Sequence, residues 1–215
     1  MSRTVIEGDI DVRRLRPLGD RVLVRVIERT ETSAGLWIKT PATPCKMGEV
    51  LATGSGIVDH VDGQVYPLEL SRGQIVLFMD YAQDGAQMEL RGGKYAVIQS
   101  NGLWATVKLA NESSYDIATI SPRMDMLVVE PYDEARTKGG IHLPLGQDVE
   151  SGLRRAKVIS VGPGMWKTGT GRRDPVAVHP GDWIVMTRFA GADIMVNGKE
   201  LRIINESDVS AGWED

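Results

Sequence analysis

Few groups in this chain could do chemistry. Its 215 residues hold three histidines, His60, His142 and His179, and one cysteine, Cys45. A zinc centre takes three or four Cys, His or carboxylate ligands at short spacing, and these residues are scattered along the sequence, so no metal site is expected. Cys45 stands between Pro44 and Lys46 with no histidine near it in sequence, which reads as an incidental thiol and not an activated one. Gly54-Ser55-Gly56 and Gly162-Pro163-Gly164 have the composition of phosphate loops, but no helical segment follows either, and strand-end turns are expected. Arg172-Arg173, inside Gly169-Thr170-Gly171-Arg172-Arg173-Asp174, has the charge to hold an acid group and is expected at a solvated hairpin tip. No catalytic set emerges.

What remains is recognition chemistry. Leu36-Trp37-Ile38 is an apolar triplet between polar flanks, Glu28-Arg29-Thr30-Glu31-Thr32-Ser33-Ala34-Gly35 before it and Lys39-Thr40-Pro41-Ala42-Thr43-Pro44 after it. Ile141-His142-Leu143 is its counterpart, 105 residues on, after Asp133-Glu134-Ala135-Arg136-Thr137-Lys138-Gly139-Gly140 and before Pro144-Leu145-Gly146-Gln147-Asp148. The bland reading is an ordinary strand. Polar, glycine-rich flanks in both places favour a docking peptide that becomes ordered on its partner. The candidate contact residues are Gly35, Leu36, Trp37 and Ile38, with Gly139, Gly140, Ile141, His142 and Leu143. His142 stands at the middle of its triplet, and no ligand cluster in the sequence makes it a metal ligand. A structureless connection of some twenty residues inside a small domain tends to be functional or disordered. Burying each large side chain contributes ~1.5–3 kcal/mol, and fixing the backbone of the flanks costs ~1–2 kcal/mol per residue. One such peptide binds weakly, and several held together supply avidity.

The elements that must carry these peptides occur twice. Arg16-Pro17-Leu18-Gly19-Asp20-Arg21-Val22-Leu23-Val24 is answered by Ser121-Pro122-Arg123-Met124-Asp125-Met126-Leu127-Val128-Val129, with prolines and aspartates each 105 apart. Gly48-Glu49-Val50-Leu51-Ala52-Thr53-Gly54-Ser55-Gly56 is answered by Ala156-Lys157-Val158-Ile159-Ser160-Val161-Gly162-Pro163-Gly164, and Arg72-Gly73-Gln74-Ile75-Val76-Leu77 by Pro180-Gly181-Asp182-Trp183-Ile184-Val185, both at an offset of 108. Gly93-Lys94 meets Gly198-Lys199 back at 105. Such a register, differing by one short insertion and its removal, means a duplicated domain.

Each copy reads as short strands punctuated by glycine. Val22, Val24 and Val26 alternate with Arg21, Leu23 and Arg25, the pattern of a strand with one buried face. Further strands are expected at 74–80, 95–99, 127–129, 157–161, 183–187 and 201–204, with Phe78 and Trp183 in the core. No stretch keeps a helical period for three turns. With 24 glycines and 10 prolines between short strands, the expectation is all-β, as small barrels or sandwiches. The domains are expected at 15–110 and 120–215, with a flexible leader at 1–14 and a flexible or lightly docked linker at 111–119. A net charge of −4 argues against a nucleic-acid partner. No apolar run approaches the ~18 residues of a membrane helix, and the acidic N-terminal stretch resembles neither a signal nor a transit peptide. A cytoplasmic setting fits a chain with one cysteine.

The order of these motifs is similar to that of a known family. The chain resembles two fused copies of the GroES-type co-chaperonin. Arg16-Pro17-Leu18-Gly19-Asp20-Arg21-Val22 resembles its opening motif, and Gly139-Gly140-Ile141-His142-Leu143-Pro144 its mobile-loop motif. Gly48 to Gly56 resembles its second strand, Asp62-Gly63-Gln64-Val65-Tyr66-Pro67-Leu68 with Gly73-Gln74-Ile75-Val76-Leu77-Phe78 its roof hairpin and next strand, and Glu206-Ser207-Asp208-Val209 its C-terminus. The resemblance implies two tandem Greek-key β-barrels that join a ring, dock their loops on a GroEL-type chaperonin and cap it while clients fold. It implies no catalytic site and no cofactor, since ATP is bound by the chaperonin. Family rings hold seven domains, which a two-domain chain cannot supply alone, so the resemblance implies either a homo-oligomeric ring with a mismatch or a mixed ring with single-domain co-chaperonin. The first loop departs from the pattern, with Ser33-Ala34-Gly35 where a glycine pair is usual and with the bulky Trp37. A GroES-like structural or adaptor module without chaperonin binding is the alternative function. An alcohol-dehydrogenase-like enzyme shares the fold, but no Rossmann unit and no zinc-ligand set accompany it here.

Overall fold

The computed structural model describes residues 4–7, 11–27, 45–79, 83–90, 93–111, 116–132 and 153–214. Valine, isoleucine and leucine recur at alternate positions and glycines break the runs with left-handed turns, so strand is the element that buries these side chains. The first copy holds β1 (Thr4–Glu7), β2 (Arg21–Ile27), β3 (Cys45–Thr53), β4 (Ile57–Val58), β5 (Val65–Tyr66), β6 (Ile75–Met79), β7 (Gln83–Leu90), β8 (Gly93–Gln99) and β9 (Leu103–Asn111). The second holds β10 (Asp116–Pro122), β11 (Met126–Tyr132), β12 (Leu153–Val161), β13 (Met165–Lys167), β14 (Arg172–Asp174), β15 (Trp183–Thr187), β16 (Ala192–Val196), β17 (Lys199–Asn205) and β18 (Val209–Trp213).

The duplication read from the sequence is a duplication of topology. One sheet of 14 strands runs β1-β7-β8-β2-β3-β6-β9 and then β10-β16-β17-β11-β12-β15-β18, the same order twice. Within each half β8 or β17 returns to lie beside β2 or β11, which makes the Greek-key arrangement. Pairing is antiparallel except where β1 meets β7 and β10 meets β16. The roof hairpins, β4 with β5 and β13 with β14, stand apart as small sheets of their own. The fold is all-β, as expected.

The turn before β2 and β11 shows why the register survives. Gly19 and its counterpart Met124 both take a left-handed conformation, at φ 60° and 49°. Gly54 and Gly162 lie against that turn. A Cβ on Gly54 would fall 2.2 Å from the Gly19 carbonyl oxygen, and one on Gly162 would fall 2.1 Å from that of Met124.

The halves join through β9 and β10, which form an antiparallel hairpin from Asn111↔Asp116 to Ala105↔Pro122. Two register shifts interrupt it, skipping Ala110 on one strand and Ala118 on the other. The Ala118 carbonyl accepts a bond from Asn197 Nδ2 at 2.8 Å, and the Ile117 carbonyl accepts one from Asn197 N at 2.9 Å. Beneath the hairpin one core crosses from copy to copy, with Met47, Leu77 and Met79 on one side and Val128, Ile194 and Ile203 on the other.

Four expectations change. In the linker at 111–119, every residue that the structure describes belongs to β9 or β10. Ile117 and Ile120, at its apolar end, are what the shared core draws in. The leader at 1–14 contains β1, which pairs in parallel with β7, and a single 3-10 turn at Val12–Arg14. Val12 and Leu15 pack beside Leu23, Met88 and Leu90, the places that Ile117 and Ile120 hold in the second copy. β2 is buried on both faces, because Val22 and Val24 enter the domain core while Leu23 faces that second cluster. Phe78 is fully buried as expected, whereas Trp183 is half-exposed at the outer face of the second copy.

Candidate functional site

The docking triplets, with Gly35, Leu36, Trp37, Ile38, Gly139, Gly140, Ile141, His142 and Leu143, lie outside the described residues. Their bases are described. Segment 28–44 starts where β2 ends and finishes where β3 begins, and the last cross-strand pair before it is Ile27↔Met47. Segment 133–152 is held in the same way between β11 and β12, with Tyr132↔Arg155 as the last pair. From that end β3 runs nine residues to its glycine turn and the roof, so loop base and roof are ~27 Å apart at the ~3.4 Å rise of an antiparallel strand. Both copies thus offer their loops from the end away from the roof.

The two bases differ in surroundings, a point that spacing alone does not reveal. The first is set into the core that joins the copies: Ile27 and Cys45 pack beside Met47, Leu77 and Met79. The second opens on the outer face. Tyr132 and Leu153 are exposed there, Tyr132 meets Trp183 edge-on at 5.4 Å, and Trp183 stacks with Trp213 at 6.4 Å. Arg155 sits over the Tyr132 ring and Lys157 over Trp183, at 5.8 and 5.6 Å. Aligning the copies strand by strand sets Tyr132, Trp183 and Trp213 against Ile27, Ile75 and Val107. Val107 is 7 % exposed beneath β10 and Trp213 is 44 % exposed on a strand at the sheet edge. A sheet edge of this kind carries unpaired backbone donors and acceptors that invite a further strand.

The roofs interlock by unlike groups. Asp59, 5 % exposed, accepts from Val61 N, from the Tyr66 hydroxyl and, across the junction, from Gly169 N at 2.6 Å. The Gly169 and Val61 N–H groups, against the opposing pull of burial, hold its carboxyl below the ordinary 3.8. Burial and the bond to Asp59 push the Tyr66 phenol up. Tyr66 also stacks on Trp166 at 4.7 Å and accepts from Gly171 N. Arg173 corrects an expectation: its side chain is 18 % exposed, not solvated. It lies 4.2 Å over Trp166, pairs with Glu69 and donates to the Gly164 carbonyl at 2.5 Å. Sequence reading missed Asp59 and Tyr66. The signal was there, since the aligned partners in the second roof are Lys167 and Asp174, an exchange of character where two copies touch.

The Cys45 thiol lies 3.6 Å from Met79 Sδ, and burial, then the Asp193 charge, pushes it up to about 12, far from a thiolate at neutral pH. His60 and His179 are exposed, and among the described residues no group of three or more His, Cys, Asp or Glu side chains is placed to hold a metal ion. Gly54-Ser55-Gly56 and Gly162-Pro163-Gly164 lead from strand into roof hairpin, as expected. No helix among the described residues is long and apolar enough to cross a membrane.

Comparison with known proteins returns the same duplication. The family model described as the chaperonin 10 kDa subunit matches twice, at residues 14–107 and 119–212. A protein named co-chaperonin GroES from Citrifermentans bemidjiense is 40 % identical over 96 residues, 44 % of this chain and 97 % of its own length. One of the same name from Chlamydia felis is 39 % identical over 97 residues, 44 % of this chain and 91 % of its own. A protein of Arabidopsis thaliana named 20 kDa chaperonin, chloroplastic, is 28 % identical over 200 residues, covering 92 % of this chain and 75 % of its own length.

Proposed function

The chain belongs to the chaperonin 10 kDa subunit family, in two tandem copies, and we propose that it works as a co-chaperonin lid for a GroEL-type chaperonin. The observation that supports this most is the repeated strand order, which carries a long connection at the roof-distal end of each copy. In this reading the segments 28–44 and 133–152 reach the chaperonin, with Leu36, Trp37 and Ile38 in one and Ile141, His142 and Leu143 in the other seated in apolar grooves. Gly35, Gly139 and Gly140 give the backbone its turn into each triplet. The lid needs no cofactor and catalyses nothing itself; the chaperonin binds and hydrolyses the ATP.

The intrachain joint is the template for the joint between chains. β18 takes the part of β9, and the Tyr132–Trp183–Trp213 face takes the part of Ile27, Ile75 and Val107. The face of the first copy around Leu23, Met88 and Leu90, with exposed Leu18 at its rim, receives them. Repeating this contact closes a homo-oligomeric ring of an even number of domains, or a mixed ring that includes single-domain co-chaperonin. A cytoplasmic setting belongs to the proposal, and neither nucleic acid nor membrane enters it.

The test is capture of the chaperonin in the presence of ATP, read by native gel and by the chaperonin ATPase. Replacing Leu36, Ile38, Ile141 and Leu143 with serine together should abolish capture while the circular dichroism of the chain stays unchanged. Undiminished capping by that variant would sink the loop assignment. A wild-type chain that binds no GroEL-type chaperonin would leave the adaptor reading.

A further inference from the structure

Beneath the interlocked roofs, where the copies meet, lies a cavity of about 170 Å³ lined in part by Ile57, Leu68 and Glu69 of the first copy and Arg123, Trp166 and Arg173 of the second. Arg123 is 9 % exposed. Its Nη2 donates to the Leu68 carbonyl across the junction at 2.8 Å, and its Nη1, also buried, has no hydrogen-bond partner among the described residues. A buried charged donor left without an acceptor is costly, and native proteins rarely leave one so. Burial pushes Arg123 down to about 10, with Glu69 opposing and Arg173 adding to the fall, so the guanidinium is still charged at neutral pH. The charges around the cavity do not cancel. Glu69 is engaged by Arg173, which leaves Arg123 in excess. Nor does the fold demand an arginine there, because the aligned residue of the first copy is Leu18.

We propose that this cavity is a binding site for a small oxyanion of the phosphate or sulfate class, with Arg123 Nη1 as its donor and Arg173 as the second positive group. The size excludes larger ligands. Nucleotide- and drug-sized sites occupy ~300–1,000 Å³, well above the 170 Å³ present. An oxyanion supplies both things the site lacks, an acceptor and a negative charge, and guanidinium groups match its geometry. Water supplies only the first. Since Arg123 also bonds the opposite copy, a bound anion would brace the joint between the copies and stabilise the chain by mass action.

The probe is inorganic phosphate, titrated into the full chain against chloride at matched ionic strength, with thermal unfolding as the readout. The variants are Arg123→Gln and, as a control on the exposed 3-10 turn Val12–Arg14, none of whose residues lines the cavity, Arg14→Gln. The wild type and the control should show a saturable rise in Tm of ~5 °C at a hundredfold excess over Kd, and Arg123→Gln should stay flat. An equal rise in Arg123→Gln would mean the general salting effect of phosphate and would overturn the site. If that variant does not fold, wild-type crystals soaked in selenate decide. An anomalous peak within hydrogen-bonding distance of Arg123 Nη1 supports the proposal, and water alone at that place refutes it.

Discussion

Replacing Trp213 with alanine should weaken association between chains by about thirtyfold per joint. The figure follows from the comparison of the two copies. Val107 is 7 % exposed where β10 covers it, while Trp213 on the uncovered strand is 44 % exposed. A second chain seated as β10 is seated would take Trp213 to a similar level. For a side chain of ~250 Å² that removes ~90 Å² of largely apolar surface from water. At ~25 cal/mol per Å² the contact contributes ~2 kcal/mol, or roughly thirtyfold in the association constant. Sedimentation velocity across a concentration series reads that shift directly. Phe189→Ala is the control, because Phe189 is 90 % exposed yet sits in the turn between β15 and β16, at the end of β15 opposite the Trp183↔Trp213 pair. If Trp213→Ala assembled like the wild type, or if Phe189→Ala weakened assembly as much, the transfer of the intrachain joint to the chain-to-chain joint would be wrong.

Further outcomes follow from single sites. Serine at Ile141 and Leu143 should harm capping more than serine at Leu36 and Ile38, because Gly139-Gly140 turns into its triplet at less cost than Ala34-Gly35; a larger loss from the first pair, measured on the same chaperonin, would make Trp37 the anchor. Asp59→Asn should lower Tm at neutral pH. Because the folded carboxyl titrates below 3.8, its contribution is complete above that value and fades as pH falls through the folded pKa, so the two melting curves should converge in acid; a gap unchanged down to pH ~2 would contradict the role of its ionised form. Gly162→Ala, with a Cβ 2.1 Å from the Met124 carbonyl oxygen, should cost ~1–3 kcal/mol or more, read as a fall in denaturant midpoint, and normal stability would show that the turn gives way. Cys45, with its thiol at about 12, should resist alkylation at pH 8 until the chain unfolds; rapid labelling of the folded protein would contradict its burial between the copies.

Much of the fold was legible because a repeat reports its own register. Offsets of 105 and 108 aligned strands that the structure pairs in one order twice. The joint was less legible, for physical reasons. Asn111, Glu112, Ser113 and Ser114 look like linker because they are polar, yet the apolar residues that tie the joint, Ile117 and Ile120, come just after them. Leu23 sits between two valines in β2, and alternation cannot tell a strand covered on both faces from one covered on one. Val12 and Leu15 stand 105 residues before Ile117 and Ile120, so the packed role of the leader was written in the repeat but hidden by its charged neighbours. The roof contacts were visible only as differences, Asp59 against Lys167 and Arg123 against Leu18, and difference between repeats reads as drift until a structure brings the positions together. The docking triplets remain readings of the sequence, since the described residues fix their bases and not the triplets themselves.

The skipped residues Ala110 and Ala118 have a geometric consequence. A bulge bends its strand and adds local twist, so a hairpin with one on each side holds the copies at a set angle, and Asn197 pins that angle by bonding the Ile117 and Ala118 carbonyls. A head-to-tail contact makes a closed ring or an open filament according to the rotation each step adds. In a chain that carries every second step inside itself, half of that rotation is set during folding, before any encounter with another molecule. Circumference is then partly a property of the monomer. Deleting Ala118, or exchanging Asn197 for a residue that cannot reach those carbonyls, would change how many chains complete the circle without touching a single residue on the outer faces.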